Sequence, residues 1–268
     1  MADWTRGKQK RVCILLGLII FLTASFLTFD WTQYYFDLVR ISDPELIYTR
    51  IAKTLTSLLI FLLALSVGDD GINDVDPRKL RWSFVAIFAG DLMFLMDELH
   101  PAFDYAAILS FLVGQVLLVL RNGQGFQAYV RRKRGIGDWI GDILLGLAIL
   151  IVTGLLFALT LFENLQGSPL LYVIAGYALF LDLSLWTAWT ALRAGYFPRT
   201  NALLIAVGAT FFFIGDYLVG FNLSLEPSLQ RATTVFLTWV FYAPAITLLA
   251  LSGYRWSKKR KTGKARRT

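Results

Sequence analysis

The chain has 268 residues, of which 56% are hydrophobic and only 17% charged, with a formal net charge of +7. Soluble proteins carry about 25% charged residues, so this composition, with a mean hydropathy of +0.58, excludes an ordinary soluble domain and indicates a polytopic membrane protein. A single cysteine, Cys13, and a single histidine, His100, exclude an intrachain disulfide and leave no Cys/His set for zinc.

A membrane-spanning helix needs about 20 mostly apolar residues. In chain order, eight runs qualify or come close: 12–29, 51–67, 80–96, 102–120, 139–162, 169–192, 201–221 and 231–252. The first is too long for a signal-peptide core, and no small-residue cleavage site follows it. The expected fold is therefore all-α: one integral membrane domain over residues 1–268 with eight transmembrane helices. The gaps leave no room for a sizeable soluble domain.

Charge orients these spans. With the N-terminus in the cytoplasm, 22 of the 26 basic residues fall on the inner side, and only Arg40, Arg50, Lys53 and Arg231 fall outside. This is the positive-inside pattern, and an even span count puts both termini in the cytoplasm. Residues 255–268 form a basic cytoplasmic tail. It reads, like Arg131-Arg-Lys-Arg134, as a membrane anchor attracted to anionic lipid rather than a nucleic-acid site. The host membrane is the plasma membrane in a bacterium and the endoplasmic reticulum in a eukaryote. Between the first two spans, Trp31, Tyr34, Tyr35 and Phe36 suit a segment at the outer interface. Asp69, Asp70, Asp74 and Asp76 lack the glycine and terminal glutamate of a calcium loop and read as a solvated cytoplasmic loop. Asp97, Glu98 and Asp104 read as solvated at the outer side.

The third and seventh spans each carry Gly-Asp in their outer half: Phe88-Ala-Gly-Asp-Leu92 and Phe213-Ile-Gly-Asp-Tyr217. The repetition at four spans' distance raises the expectation of two parallel four-helix halves. A charge at membrane depth costs roughly 2.5–3.5 kcal/mol on insertion scales, so Asp91 and Asp216 are the leading candidates for a functional site. Asp182 lies near the middle of the sixth span. Lys53, Gln115 and Tyr242 add polar groups within reach of the same interior, where Gln115 and Tyr242 read first as interhelical bonds. Two carboxyls held together away from water share a proton, which sets a donor beside a base. Such a pair suits acid-catalysed cleavage of an acid-labile bond. It suits proton-coupled transport of a small amphipathic molecule equally well.

Four stretches carry a family resemblance. Ala52-Lys53-Thr54-Leu55-Thr56 is similar to a Lys-Pro-Leu-Thr motif, and Gly90-Asp91-Leu92-Met93-Phe94-Leu95 to a Gly-Asp motif followed by leucines. Gly208-Ala209-Thr210-Phe211-Phe212-Phe213-Ile214-Gly215-Asp216 is similar to Gly-Ala-x-x-Phe-x-x-Ser-Asp, and Phe241-Tyr242-Ala243-Pro244 to Tyr-Tyr-x-Ala-Gln. Together they resemble the YhhN family of membrane proteins, which includes the lysoplasmalogenases. The chain departs from the pattern at Thr54, Gly215 and Pro244, and Gln115 stands where a histidine is common.

The resemblance implies hydrolysis of the vinyl ether bond of a lysoplasmalogen to a fatty aldehyde and a glycerophospho-headgroup. Asp91 and Asp216 would be the catalytic pair, with no metal or other cofactor and a lysophospholipid as substrate. It leaves Lys53 to hold the phosphate or tune a carboxyl.

Overall fold

The computed structural model describes residues 6–35, 47–68, 71–72, 75–96, 99–100, 102–132, 135–225 and 228–256. Phe36, Asp69, Asp70, Asp74, Asp97, Glu98, Lys133, Arg134 and the tail beyond residue 256 lie outside the described residues. So do the side chains of Tyr34 and Tyr35.

The described chain is all-helical. α1 spans Arg6–Tyr35, α2 Ile47–Leu65, α3 Asp76–Leu95 and α4 Ala102–Asn122. A short α5, Phe126–Arg132, precedes α6, Ile136–Leu156, which continues through a π-helical turn, Phe157–Leu161, into α7, Phe162–Leu165. α8 spans Leu170–Ala194, α9 Arg199–Leu223 and α10 Leu229–Leu251. All eight apolar runs fall in helices, and the boundaries follow local chemistry. Pro77 sits in the first turn of α3, where its missing N–H costs nothing. The Ser228 side chain accepts the Arg231 N–H at the start of α10. Gly195, at φ +68°, closes α8 in the left-handed conformation that favours glycine.

Seven of these helical stretches are long and apolar enough to cross a membrane: α1, α2, α4, the continuous α6–α7 stretch, α8, α9 and α10. The protein is thus multi-pass. α3 stands apart because its first turns carry Asp76, Arg78, Lys79 and Arg81 and its interior carries Asp91. The span from Trp139 to Leu165 is the least buried of the seven and presents Ile143, Leu147, Ile151 and Leu155 outward, the apolar surface that lipid covers. The main core gathers Ile60, Leu63, Phe84, Ile87, Leu118, Phe212, Ile246 and Leu249 from α2, α3, α4, α9 and α10.

One end of the bundle is tied by a buried polar knot. Arg121, at the end of α4, and Asp76, at the start of α3, are both 0% exposed. The guanidinium grips the carboxylate twice, Nε to Oδ1 at 2.7 Å and Nη2 to Oδ2 at 3.0 Å. It also donates to the Ser252 hydroxyl at 2.8 Å and the Ser252 carbonyl at 3.2 Å. Asn201, in the first turn of α9, donates to the carbonyls of Ser252 and Tyr254. Asp76 therefore departs from the expected solvated loop. Bidentate pairing to Arg121 offsets its desolvation, and Arg121 is a structural clamp. Asp104 is half-buried rather than fully solvated.

Candidate active site

The knot fixes the register of the carboxyl pair. Because the starts of α3 and α9 meet the ends of α4 and α10 there, α3 and α9 run in the same direction. Asp91 lies 15 residues beyond Asp76, and Asp216 lies 15 residues beyond Asn201. At 1.5 Å per residue both carboxyls stand roughly 22 Å from the knot. They are level with each other, toward the far side of the bundle.

Each carboxyl is held by a tyrosine. The Tyr242 hydroxyl, from α10, donates to Asp91 Oδ1 at 2.8 Å. The Tyr177 hydroxyl, from α8, donates to Asp216 Oδ2 in a short hydrogen bond. Ser57, on α2, lies beside the Asp91 carboxyl and Gln115, on α4, beside the Tyr177 hydroxyl, but the Ser57 hydroxyl, Asp91 Oδ2 and Gln115 Nε2 make no hydrogen bond. The two carboxyls are close enough to interact electrostatically, and Tyr242 feels both of them as well as Tyr177. Six helices, α2, α3, α4, α8, α9 and α10, thus converge on one polar cluster. Tyr242 and Gln115 are buried, whereas Asp91, Asp216 and Tyr177 keep some exposed surface.

Aromatic rings wall the cluster. Tyr242 meets Trp239, Phe212 and Phe111 edge-on, with ring centroids 5.4, 5.6 and 6.1 Å away. The two glycines before the aspartates admit these neighbours. A Cβ on Gly90 would stand 2.7 Å from the Phe111 ring, and one on Gly215 would stand 3.5 Å from Tyr242. Phe111 is itself packed against Phe94, Phe212 and Tyr242 and has no room to retreat. Gly90→Ala should therefore destabilise the protein by about 1–3 kcal/mol through overpacking, outweighing the roughly 1 kcal/mol that alanine gains in a helix. Gly215→Ala meets only ordinary contacts and should stabilise the protein by up to about 1 kcal/mol. Thermal unfolding of the two variants in detergent checks the contrast.

Of the residues singled out in the sequence, Asp91, Asp216, Gln115 and Tyr242 come together. Asp182 does not join them: its carboxylate accepts a 2.7 Å hydrogen bond from Thr153 and bridges α8 to α6. Lys53 pairs instead with Asp30, Nζ to Oδ2 at 2.9 Å, both side chains almost fully buried. Sequence reasoning missed Tyr177, Ser57 and Asp30. A tyrosine, a serine and an aspartate at the edge of an apolar run are common there, and nothing local distinguishes these three. Among the described residues no group of three His, Cys, Asp or Glu side chains gathers as metal ligands would.

A multi-pass helical bundle with a tyrosine-held aspartate pair inside it defines a membrane protein with a titratable interior site. The model of the YhhN family matches residues 48–253, a stretch that includes both aspartates and both tyrosines, and the chain belongs to that family. No curated protein and no solved structure matches it.

Proposed function

We propose that the protein is an intramembrane lysoplasmalogenase-type hydrolase, cleaving the vinyl ether bond of a lysophospholipid by carboxyl acid/base catalysis. The observation that carries the reading is the pair itself. Asp91 and Asp216 sit level in the bundle, each on a tyrosine hydroxyl and within electrostatic reach of the other. One protonated carboxyl delivers its proton to the alkene carbon, leaving an oxocarbenium ion. The other carboxylate stabilises that cation and takes a proton from the water that attacks it. The resulting hemiacetal breaks to a fatty aldehyde and the free hydroxyl of the glycerophospho-headgroup. Water is the only co-reactant. Leu118, Phe84, Ile246 and Leu249 pack closely between the pair and the basic end. This favours a site entered from the opposite side or from the membrane.

The rival reading is a proton-coupled transporter of a small amphipathic molecule. Pro244 inside α10 and the π-helical turn at Phe157–Leu161 are its best support, since broken helices line transport paths. The packed basic end counts against a two-sided path. Aldehyde release from a lysoplasmalogen by the purified protein decides between them. Turnover is the expected result. A protein that releases no aldehyde yet acidifies proteoliposomes on substrate addition would belong to the transporter class.

The same proposal takes α3 as an eighth span, with both termini in the cytoplasm in keeping with the positive-inside pattern. It also takes the bundle as two four-span halves. In support, α3 packs on α4 as α9 packs on α10, and in each pair an aromatic residue of the second helix, Phe111 or Tyr242, lies against the glycine before the aspartate.

A further inference from the structure

We propose that the buried Asp30–Lys53 ion pair is a positioning device that sets Asp91 for its chemistry, and that Lys53 is not the group that binds a substrate phosphate. The inference rests on the hydrolase reading for its kinetic readouts. Its foundation is geometric. Lys53 Nζ lies 2.9 Å from Asp30 Oδ2, with side chains 5% and 2% exposed. The ammonium also stands 5.8 Å from the ring centroids of both Phe26 and Trp239, and those rings meet edge to face at 5.4 Å. A cation between two aromatic faces is held by their quadrupoles, more strongly where water is excluded. Counter-ion and rings already surround this charge, so an incoming phosphate would have to displace Asp30 and leave that carboxylate buried without its cation.

The pair leads to the catalytic cluster along one short route. Trp239 packs edge-on against Tyr242 at 5.4 Å, and Tyr242 holds Asp91 Oδ1 at 2.8 Å. Fixing Lys53 to α1 and against Trp239 therefore seats the hydroxyl that holds Asp91. Asp30 lies outside the 48–253 stretch that carries the family match. By this reading α1 supplies a working part of the site from beyond that stretch.

The test uses the full chain with Lys53→Met, Asp30→Asn and the double variant Lys53→Met/Asp30→Leu, which leaves no charge orphaned if a single variant fails to fold. Each is assayed on a lysoplasmalogen and on a phosphate-free 1-alkenyl glycerol. Positioning predicts that kcat falls on both substrates by about 10- to 100-fold, the scale of a small misplacement. KM on each should stay within about twofold, as for an interaction that does not bind substrate. The infrared band of the Asp91 carboxyl, identified by its loss in Asp91→Asn, should shift in Lys53→Met. A KM that rises for the phosphorylated substrate alone would make Lys53 a phosphate ligand and overturn the proposal. So would an unshifted Asp91 band. A wild-type protein inert on both substrates would count against the hydrolase reading, and the infrared comparison would still decide the positioning role.

Discussion

Asp91→Asn and Asp216→Asn should each cut aldehyde release by about 10³-fold or more, near the upper range for a group that moves a proton in the transition state. The substitutions are nearly isosteric. The amide oxygen still accepts from Tyr242 or Tyr177, so packing and helix register survive while the exchangeable proton is lost. The two losses should also fail to add: a site that needs one carboxyl to donate and the other to accept is already disabled by removing either. Asp182→Asn is the matched control. That carboxylate is buried in the same bundle but bonds Thr153, and interhelical hydrogen bonds in membranes average about 0.6 kcal/mol. Its turnover should stay within about threefold of wild type. Steady-state aldehyde release by the three variants, each verified as folded, reads the answer. Equal loss in all three would mean that the chemistry is not centred on the Asp91–Asp216 pair.

Arg121→Met should destabilise the protein by about 3–5 kcal/mol, the usual cost of removing one partner from a buried pair. Without Arg121 the Asp76 carboxylate loses its bidentate grip in a fully buried position, the Ser252 hydroxyl loses its donor, and the Ser252 carbonyl keeps Asn201. The start of α3 and the end of α10 are then free to part. The double variant Asp76→Leu/Arg121→Met should recover much of the stability, because apolar residues of similar size often replace a buried pair without penalty. Thermal unfolding in detergent measures both. A double variant as unstable as Arg121→Met alone would show that the Ser252 contacts, rather than the buried Asp76 carboxylate, dominate.

Asp76 and Asn201 lie at one end of α3 and α9, and Asp91 and Asp216 lie 15 residues further along each helix. Loosening the knot lets α3 slide or rotate relative to α10, and Tyr242 would then no longer meet Asp91. Arg121→Met is accordingly expected to lower turnover below the fraction of protein that remains folded.

The residues themselves disclosed most of the architecture and half of the site. Apolar run length marks membrane helices because lipid offers no partner for an unpaired backbone group, and all eight expected runs are helical. Carboxyls inside such runs are conspicuous because their cost is high. Asp91 and Asp216 were therefore visible before any contact was known, as were Gln115 and Tyr242. The Gly-Asp repeats and the short motifs around them also carried the family, whose model matches residues 48–253.

Pairing was not legible, because partners in a helical bundle come from distant helices and leave no local spacing. Only the folded bundle decided that Tyr177 holds Asp216, that Asp182 turns to Thr153, and that Lys53 belongs to Asp30. The same holds for Asp76, which local charge assigned to water. Arg121, on the neighbouring helix, brings it to 0% exposure. Sequence determines which groups are too polar for lipid; tertiary packing decides which neighbour compensates each one, and so which carboxyls remain for chemistry.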